Sequence, residues 1–300
     1  MNARNFLLAL GMLLLAGTAH AALDVFACEP EWAALAEELG GEKLRVYAAT
    51  TAMQDPHHIQ ARPSLIAKMR QADLVVCTGA ELEIGWLPVL LAESGNARVQ
   101  PGGAGYFEAA RHVALLEKPT RVDRSMGDVH AAGNPHIQTD PRNIAKVADA
   151  LVKVLMQLDS PNAAEYRRRG QDFQIRWSQA MRNWETRAAP LRGVPVAVQH
   201  NAFPYLEAWL GLKRVAVLEA KPGVSPSAAH LAAVLAGLEN RPARMVLRAA
   251  YQPRRPSAWL AERAAIPIVT LPFTVGGSER AGDLFGLFDD TVDRLLAALP

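Results

Sequence analysis

The chain has 300 residues, half of them hydrophobic and 21% charged, with a formal net charge of +2. This composition is globular rather than disordered, and the length suffices for one large domain or two medium ones. No run of Lys or Arg marks a nucleic-acid surface, and Arg167-Arg168-Arg169 reads as the solvated face of a helix.

The N-terminus reads as an export signal. Arg4 precedes an apolar run over residues 6–15, and small residues follow to Ala19-His20-Ala21, an A-x-A cleavage pattern. The run is too short to span a membrane, and no cysteine follows it where a lipid would attach. Residues 1–21 are therefore expected to be a signal peptide, cleaved near Ala21 to leave a soluble exported chain. Export permits a disulfide between the two cysteines, Cys28 and Cys77. Two buried thiols fit the sequence equally well, and the absence of a C-x-x-C spacing speaks against a zinc-cysteine site.

From residue 22 onward strands and helices alternate. A strand over 23–28 precedes a helix over 30–39, closed by Gly40-Gly41. A strand over 44–49 runs into a loop containing His57 and His58, and a helix follows over 63–72. A strand over 73–77 and a helix over 86–92 complete the first series. Residues 101–135 are less regular, and 118–134 read as an exposed loop. Asp140-Pro141 then opens a helix whose apolar stripe is Ile144, Val147, Ala148, Leu151, Val154 and Leu155.

Ser160-Pro161 is expected to start a second helix running to Ala189, with Tyr166, Phe173, Trp177, Met181 and Trp184 on one buried face and Gly170 as its weak point. Such a helix would extend ~45 Å at 1.5 Å per residue. It reads as a rigid strut between two lobes, the alternative being an ordinary long helix in a single domain. The alternation then restarts: strands over 194–198, 213–218, 244–247 and 267–271, and helices over 203–210, 227–238, 257–263 and 283–299. The expected fold is α/β, two lobes each built on a mostly parallel sheet with flanking helices, joined by one long helix. The expected divisions are 22–159 for the N-terminal metal-binding lobe, 160–190 for the linking helix and 191–300 for the C-terminal lobe.

Of eight histidines, His20 falls in the expected signal, and His112 and His230 sit in helical patterns as surface or packing residues. The other five occupy three places: His57/His58, His130/His136 and His200. Each is a loop at an expected strand end or helix start, where open α/β sheets bind ligands. Neutral imidazole is a common zinc ligand, and three such loops facing one another could share an ion.

Three motifs carry a resemblance: Asp55-Pro56-His57 followed by Pro63-Ser64, Gly133-Asn134-Pro135-His136 followed by Asp140-Pro141, and His200-Asn201-Ala202-Phe203-Pro204-Tyr205 followed by Gly211-Leu212. With them the chain resembles the solute-binding proteins of zinc and manganese ABC importers over nearly its whole mature length. The resemblance implies two lobes joined by a long helix, a metal in the cleft, a periplasmic location, a membrane permease as partner and a monomer. It makes His57, His136 and His200 the metal ligands. His58 becomes a neighbour, and His130 an extra ligand, a histidine on the approach to the site, or a solvated loop residue. Manganese members usually carry glutamate where His200 stands, and three imidazoles favour Zn2+ over Mn2+, while Cu2+ also suits such a site. The departure lies after the last strand, where many members have an aspartate and this chain reads Leu271-Pro272-Phe273-Thr274. Water, Glu219, Glu279 or Asp283 is then the candidate for the fourth position, with Asp283 also suited to a helix start.

The expected function is capture of Zn2+ and its delivery to a permease, without catalysis. The rival reading is a secreted three-histidine zinc hydrolase, with Glu219 cast as general base. No H-E-x-x-H helix or nucleophile elbow supports it. A metal-dependent adhesin or metallochaperone is a third reading.

Overall fold

Apolar, often β-branched runs end in turns, and prolines then open the helices. The computed structural model describes residues 22–121 and 127–299, so the expected signal peptide and some of the expected 118–134 loop lie outside the described residues. The first half contains β1 (Leu23–Ala27), α1 (Pro30–Gly40), β2 (Leu44–Ala48), α2 (Pro63–Gln71), β3 (Leu74–Cys77), α3 (Leu87–Ser94), β4 (Tyr106–Glu108) and α4 (Pro141–Leu158). The helix α5 (Ala163–Arg187) follows. The second half contains β5 (Pro195–Val198), α6 (Pro204–Leu210), β6 (Lys213–Val217), α7 (Ala228–Asn240), β7 (Met245–Ala249), α8 (Arg254–Ala264), β8 (Ile268–Leu271) and α9 (Leu284–Ala297). Pro30, Pro63, Pro141 and Pro204 stand in first helical turns, where a missing N–H is no loss. The Asp140 side chain caps α4 by accepting from the Arg142 N–H.

The two sheets repeat one order, β2-β1-β3-β4 and β6-β5-β7-β8, and the paired strands are parallel throughout. In each, the chain leaves an inner strand for the edge and returns on the other side. The connections therefore diverge beyond the carboxyl ends of β1/β3 and β5/β7, which opens a crevice there. The strand β4 is not expected from the sequence; three residues are too few to display a period.

The long helix α5 has 25 residues, about 37 Å at 1.5 Å per residue. It begins later than expected, because Ser160–Asn162 form a 3-10 turn and Asn162 makes no side-chain cap. Asp159 takes over the polar work, accepting from Asn162 Nδ2 and from the Tyr166 hydroxyl, each at 2.7 Å. Gly170 is a contact point: a Cβ there would stand 2.6 Å from Val152 Cγ2. The glycine is what lets α4 and α5 approach. Tyr166, Phe173, Trp177 and Trp184 are buried along the helix, and Met181 is partly covered. One apolar core runs from β1 and β3 through this face to β5, β7 and α9, so the strut is packed into both lobes.

A polar contact also crosses between the lobes. The Thr274 hydroxyl, beyond β8, donates to Glu31 in the first turn of α1, both buried. Burial raises the Glu31 carboxyl to about 7, against the opposing hydrogen bonds from Thr274 and the helix backbone. Its stabilising contribution is complete below the unfolded value, about 4.5, and is lost as pH rises through about 7. Glu31→Gln, neutral at every pH, is therefore expected to match the metal-free wild type near pH 4.5. By pH 8 it should exceed it by roughly 2–3 kcal/mol at most. Calorimetric melting at the two pH values checks this, and a gap that closes with rising pH would contradict it.

Candidate metal centre

Beyond β2 the chain reaches Asp55-Pro56-His57, and Trp86 Nε1 pins the loop to the first lobe by donating to the Pro56 carbonyl at 2.8 Å. His57 Nδ1–H donates to Asp55 Oδ1 at 2.8 Å, and that same oxygen accepts the His57 backbone N–H. This fixes the proton on Nδ1 and leaves the Nε2 lone pair free. His57 Nε2 is buried with no hydrogen-bond partner. Burial raises the Asp55 pKa, but the His57 contacts outweigh it and the net shift is downward, so Asp55 is an ionised acceptor.

His136 arrives by a different route. Asn134 Oδ1 accepts its N–H at 3.0 Å, while Asn134 Nδ2 donates to the Asn201 carbonyl at 2.8 Å. The Tyr205 hydroxyl donates to the Asn134 carbonyl at 2.6 Å. Gly133, at φ +122°, lets the chain pass where a Cβ would sit 2.8 Å from the Leu116 carbonyl oxygen. His200 lies just past β5, and its Nδ1–H donates to Glu219 Oε2 at 2.7 Å. Its Nε2 thus faces inward, 3.4 Å from His136 Nε2.

The structure brings His57, His136 and His200 together, one nitrogen of each within 4.8 Å of the others, all three buried. Two nitrogens bound tetrahedrally to zinc at 2.0–2.1 Å are about 3.3 Å apart, so the His136–His200 spacing fits a shared ion. Burial first, and the charge of neighbouring histidines second, depress the His136 pKa far below that of an ordinary imidazole. It is therefore neutral, the form that ligates.

The remaining candidates are placed differently. Glu219 is spent on the outer nitrogen of His200 and also accepts the Gly223 N–H at 2.9 Å. His58 is exposed, its Nε2 3.4 Å from Asp128 Oδ2. His130 stacks on the His57 ring at 5.3 Å, with a buried and unpartnered Nε2, but does not join the group of three. Burial and the charge of His57 lower its pKa to about 4. Glu279 is exposed, and Asp283 caps α9 by accepting from the Gly286 N–H at 2.7 Å. The side of the site toward the last loop is aromatic: Phe273 meets the His136 ring edge-on at 5.5 Å and packs on Phe203 and Tyr251. The sequence had signalled neither the role of Phe273 nor the tautomer-fixing contact of Asp55. An aspartate two residues before a histidine is the one local hint of the latter.

Two parallel α/β lobes on a long helix, with histidines converging from strand ends of both, define a two-lobed solute-binding architecture. A solved structure described as the crystal structure of ZnuA aligns over 92% of this chain and 99% of its own, with TM-score 0.76 and 20% identity. A Mn-bound periplasmic metal binding protein from Candidatus Liberibacter asiaticus aligns over 92% and 100%, with TM-score 0.75 and 14% identity. At these identities the likeness is one of fold. The family profile for the zinc-uptake complex component A, periplasmic, matches residues 25–298, and the chain belongs to that family. Among curated relatives, the high-affinity zinc uptake system protein ZnuA of Bacillus subtilis (strain 168) is 25% identical over 182 residues, 59% of this chain and 55% of that protein. The protein of the same name from Yersinia pestis is 24% identical over 197 residues, 59% of each. The alignments thus span somewhat over half the length of these relatives.

Proposed function

We propose that this is an exported, periplasmic solute-binding protein that captures Zn2+ between its lobes and hands it to an ABC-importer permease, acting as a monomer. The observation that carries this reading is the convergence of three buried imidazoles, two with tautomers fixed by carboxylates so that Nε2 faces the shared space. Three nitrogen donors suit zinc better than Mn2+, while Cu2+ would be held as well and is limited by supply rather than affinity. His57, His136 and His200 are the ligands, water takes the fourth position, and Asp55 and Glu219 orient the rings. Family membership and the relatives' names support zinc as the cargo. Among the described residues no helix is long and apolar enough to cross a membrane.

Turnover does not belong to this reading. The general-base candidate Glu219 already accepts from His200 and Gly223. The test is calorimetric zinc titration combined with growth of a deletion strain under zinc starvation. One ion per chain and a growth defect rescued by zinc are expected; a chain that binds no zinc sinks the proposal. Affinity should fall as the medium is acidified, because protons compete for the imidazoles; the depressed His136 pKa moves that ligand's share of the loss below the ordinary imidazole range. An affinity that does not fall at any acid pH at which the chain stays folded would exclude a histidine site.

The orienting carboxylate is separately testable. Glu219→Gln keeps the shape but weakens the anchor on His200 Nδ1, and a 10–100-fold loss of zinc affinity is expected. Competition against a chelator of known affinity measures it, and an unchanged constant would remove Glu219 from the site.

A further inference from the structure

The floor of the first lobe holds a second set of metal-type donors, distinct from the histidines. Cys28 follows β1 and Cys77 ends β3, neighbouring parallel strands. The two are joined as a disulfide, their Cα atoms 4.8 Å apart and both side chains fully buried. Glu83 reaches back beneath these strand ends, so that one of its oxygens and both sulfurs lie within 4.8 Å of one another. Beside it, Glu29 is 3% exposed and shares a side-chain hydrogen bond with Glu83. Two buried acids in contact are an arrangement that folding alone disfavours.

The backbone is bent to bring Glu83 there. Gly79, Ala80 and Glu81 have φ of +76°, +50° and +67°, three successive residues in the left-handed region, two of them with side chains. Strain of this kind gathers where a structure is held for a ligand. The turn aims Glu83 inward, where it accepts the N–H groups of Thr78 at 2.7 Å and Gly79 at 3.1 Å. Glu83 also lines a surface pocket of about 340 Å³ with Gly79, Leu87, Leu91 and Tyr106.

We propose that reduction of Cys28–Cys77 opens a second divalent-metal site, made of the two sulfurs and Glu83, that the disulfide otherwise locks. A dithiol reductant supplies two electrons and two protons, becoming a disulfide itself and leaving two thiols. The incoming cation displaces the two thiol protons and binds as the dithiolate, with the Glu83 carboxylate as third donor. Two thiolates select a soft or borderline ion such as zinc over magnesium or manganese.

Cobalt(II) is the probe, because thiolate ligation gives an intense charge-transfer absorption that imidazole does not. The full chain is reduced, freed of reductant without air and titrated beside the oxidised chain. The oxidised chain should take one cobalt with no thiolate band. The reduced chain should take a second with the band, and Glu83→Gln should weaken that second binding at least tenfold while leaving the first unchanged. Two titratable thiols in a folded chain with no second cobalt and no band would overturn the proposal, as would a second site indifferent to Glu83→Gln. Should reduction unfold the chain, refolding on addition of cobalt supports the site, and failure to refold overturns it.

Discussion

His136→Ala is expected to lower zinc affinity by roughly 10²–10⁴ while leaving the fold intact. Structural zinc sites bind with about 10–16 kcal/mol, so one of three protein ligands carries on the order of 3–5 kcal/mol. His136 is the member whose loss should be cleanest. It is 1% exposed, its Nδ1 has no partner, and its N–H and carbonyl contacts are made by backbone that alanine retains. Of the ring nitrogens only Nε2 has a hydrogen-bonding contact to lose, the one with His200 Nε2. What the substitution takes away is the nitrogen 3.4 Å from His200 Nε2. His112→Ala is the control, since that imidazole stacks on Phe107 at 4.8 Å, away from the triad. Zinc competition titration with circular dichroism decides the matter. Wild-type affinity in His136→Ala, or an equal loss in His112→Ala, would remove His136 from the site.

Trp177→Ala should destabilise the chain by about 3–5 kcal/mol, the range for deleting a large buried aromatic. Trp177 is fully buried where both lobes meet α5. Its ring stacks on Phe173 at 5.1 Å and meets Trp184, Phe285 and Phe288 edge-on at 4.9–5.5 Å. Its Nε1 donates to the Pro141 carbonyl at 2.8 Å, tying α5 to the start of α4. Phe285 and Phe288 lie on α9 and Pro141 on α4, so the loss falls on the join between the halves. Equilibrium unfolding in urea should show a lower midpoint, and a change under 1 kcal/mol would mean that the cluster repacks around the gap.

Much of this architecture was legible because its signals are local. Apolar runs, prolines at helix starts and the aromatic spacing along α5 are written in adjacent residues. The three histidine loops were legible for the same reason: each follows or precedes a recognisable element. What depended on which strand lies beside which was not. Cys28 and Cys77 are 49 residues apart in sequence, and nothing local says that β2 moves to the edge and leaves β1 beside β3. Glu31 and Glu83 look like ordinary surface acids in sequence; only the folded chain shows Thr274 over the one and Thr78 and Gly79 over the other. In sequence Glu219 is a possible ligand or base because it ends a strand of the second lobe. The direction in which His200 turns its two nitrogens is a tertiary fact, and it puts Glu219 behind the ring.

The bonding of Asn134 divides the donors unevenly. By chain order His136 belongs with His57, in the half before the long helix. By hydrogen bonding its segment is fastened to Asn201 and Tyr205, the same stretch that carries His200. His57 instead hangs from Trp86 in the first lobe. A widening of the gap would therefore pull a single nitrogen away from the other two, leaving the ion on an intact pair rather than stripping it donor by donor. Escape would then have two stages, the departure of His57 and the later release of the ion from the His136–His200 pair.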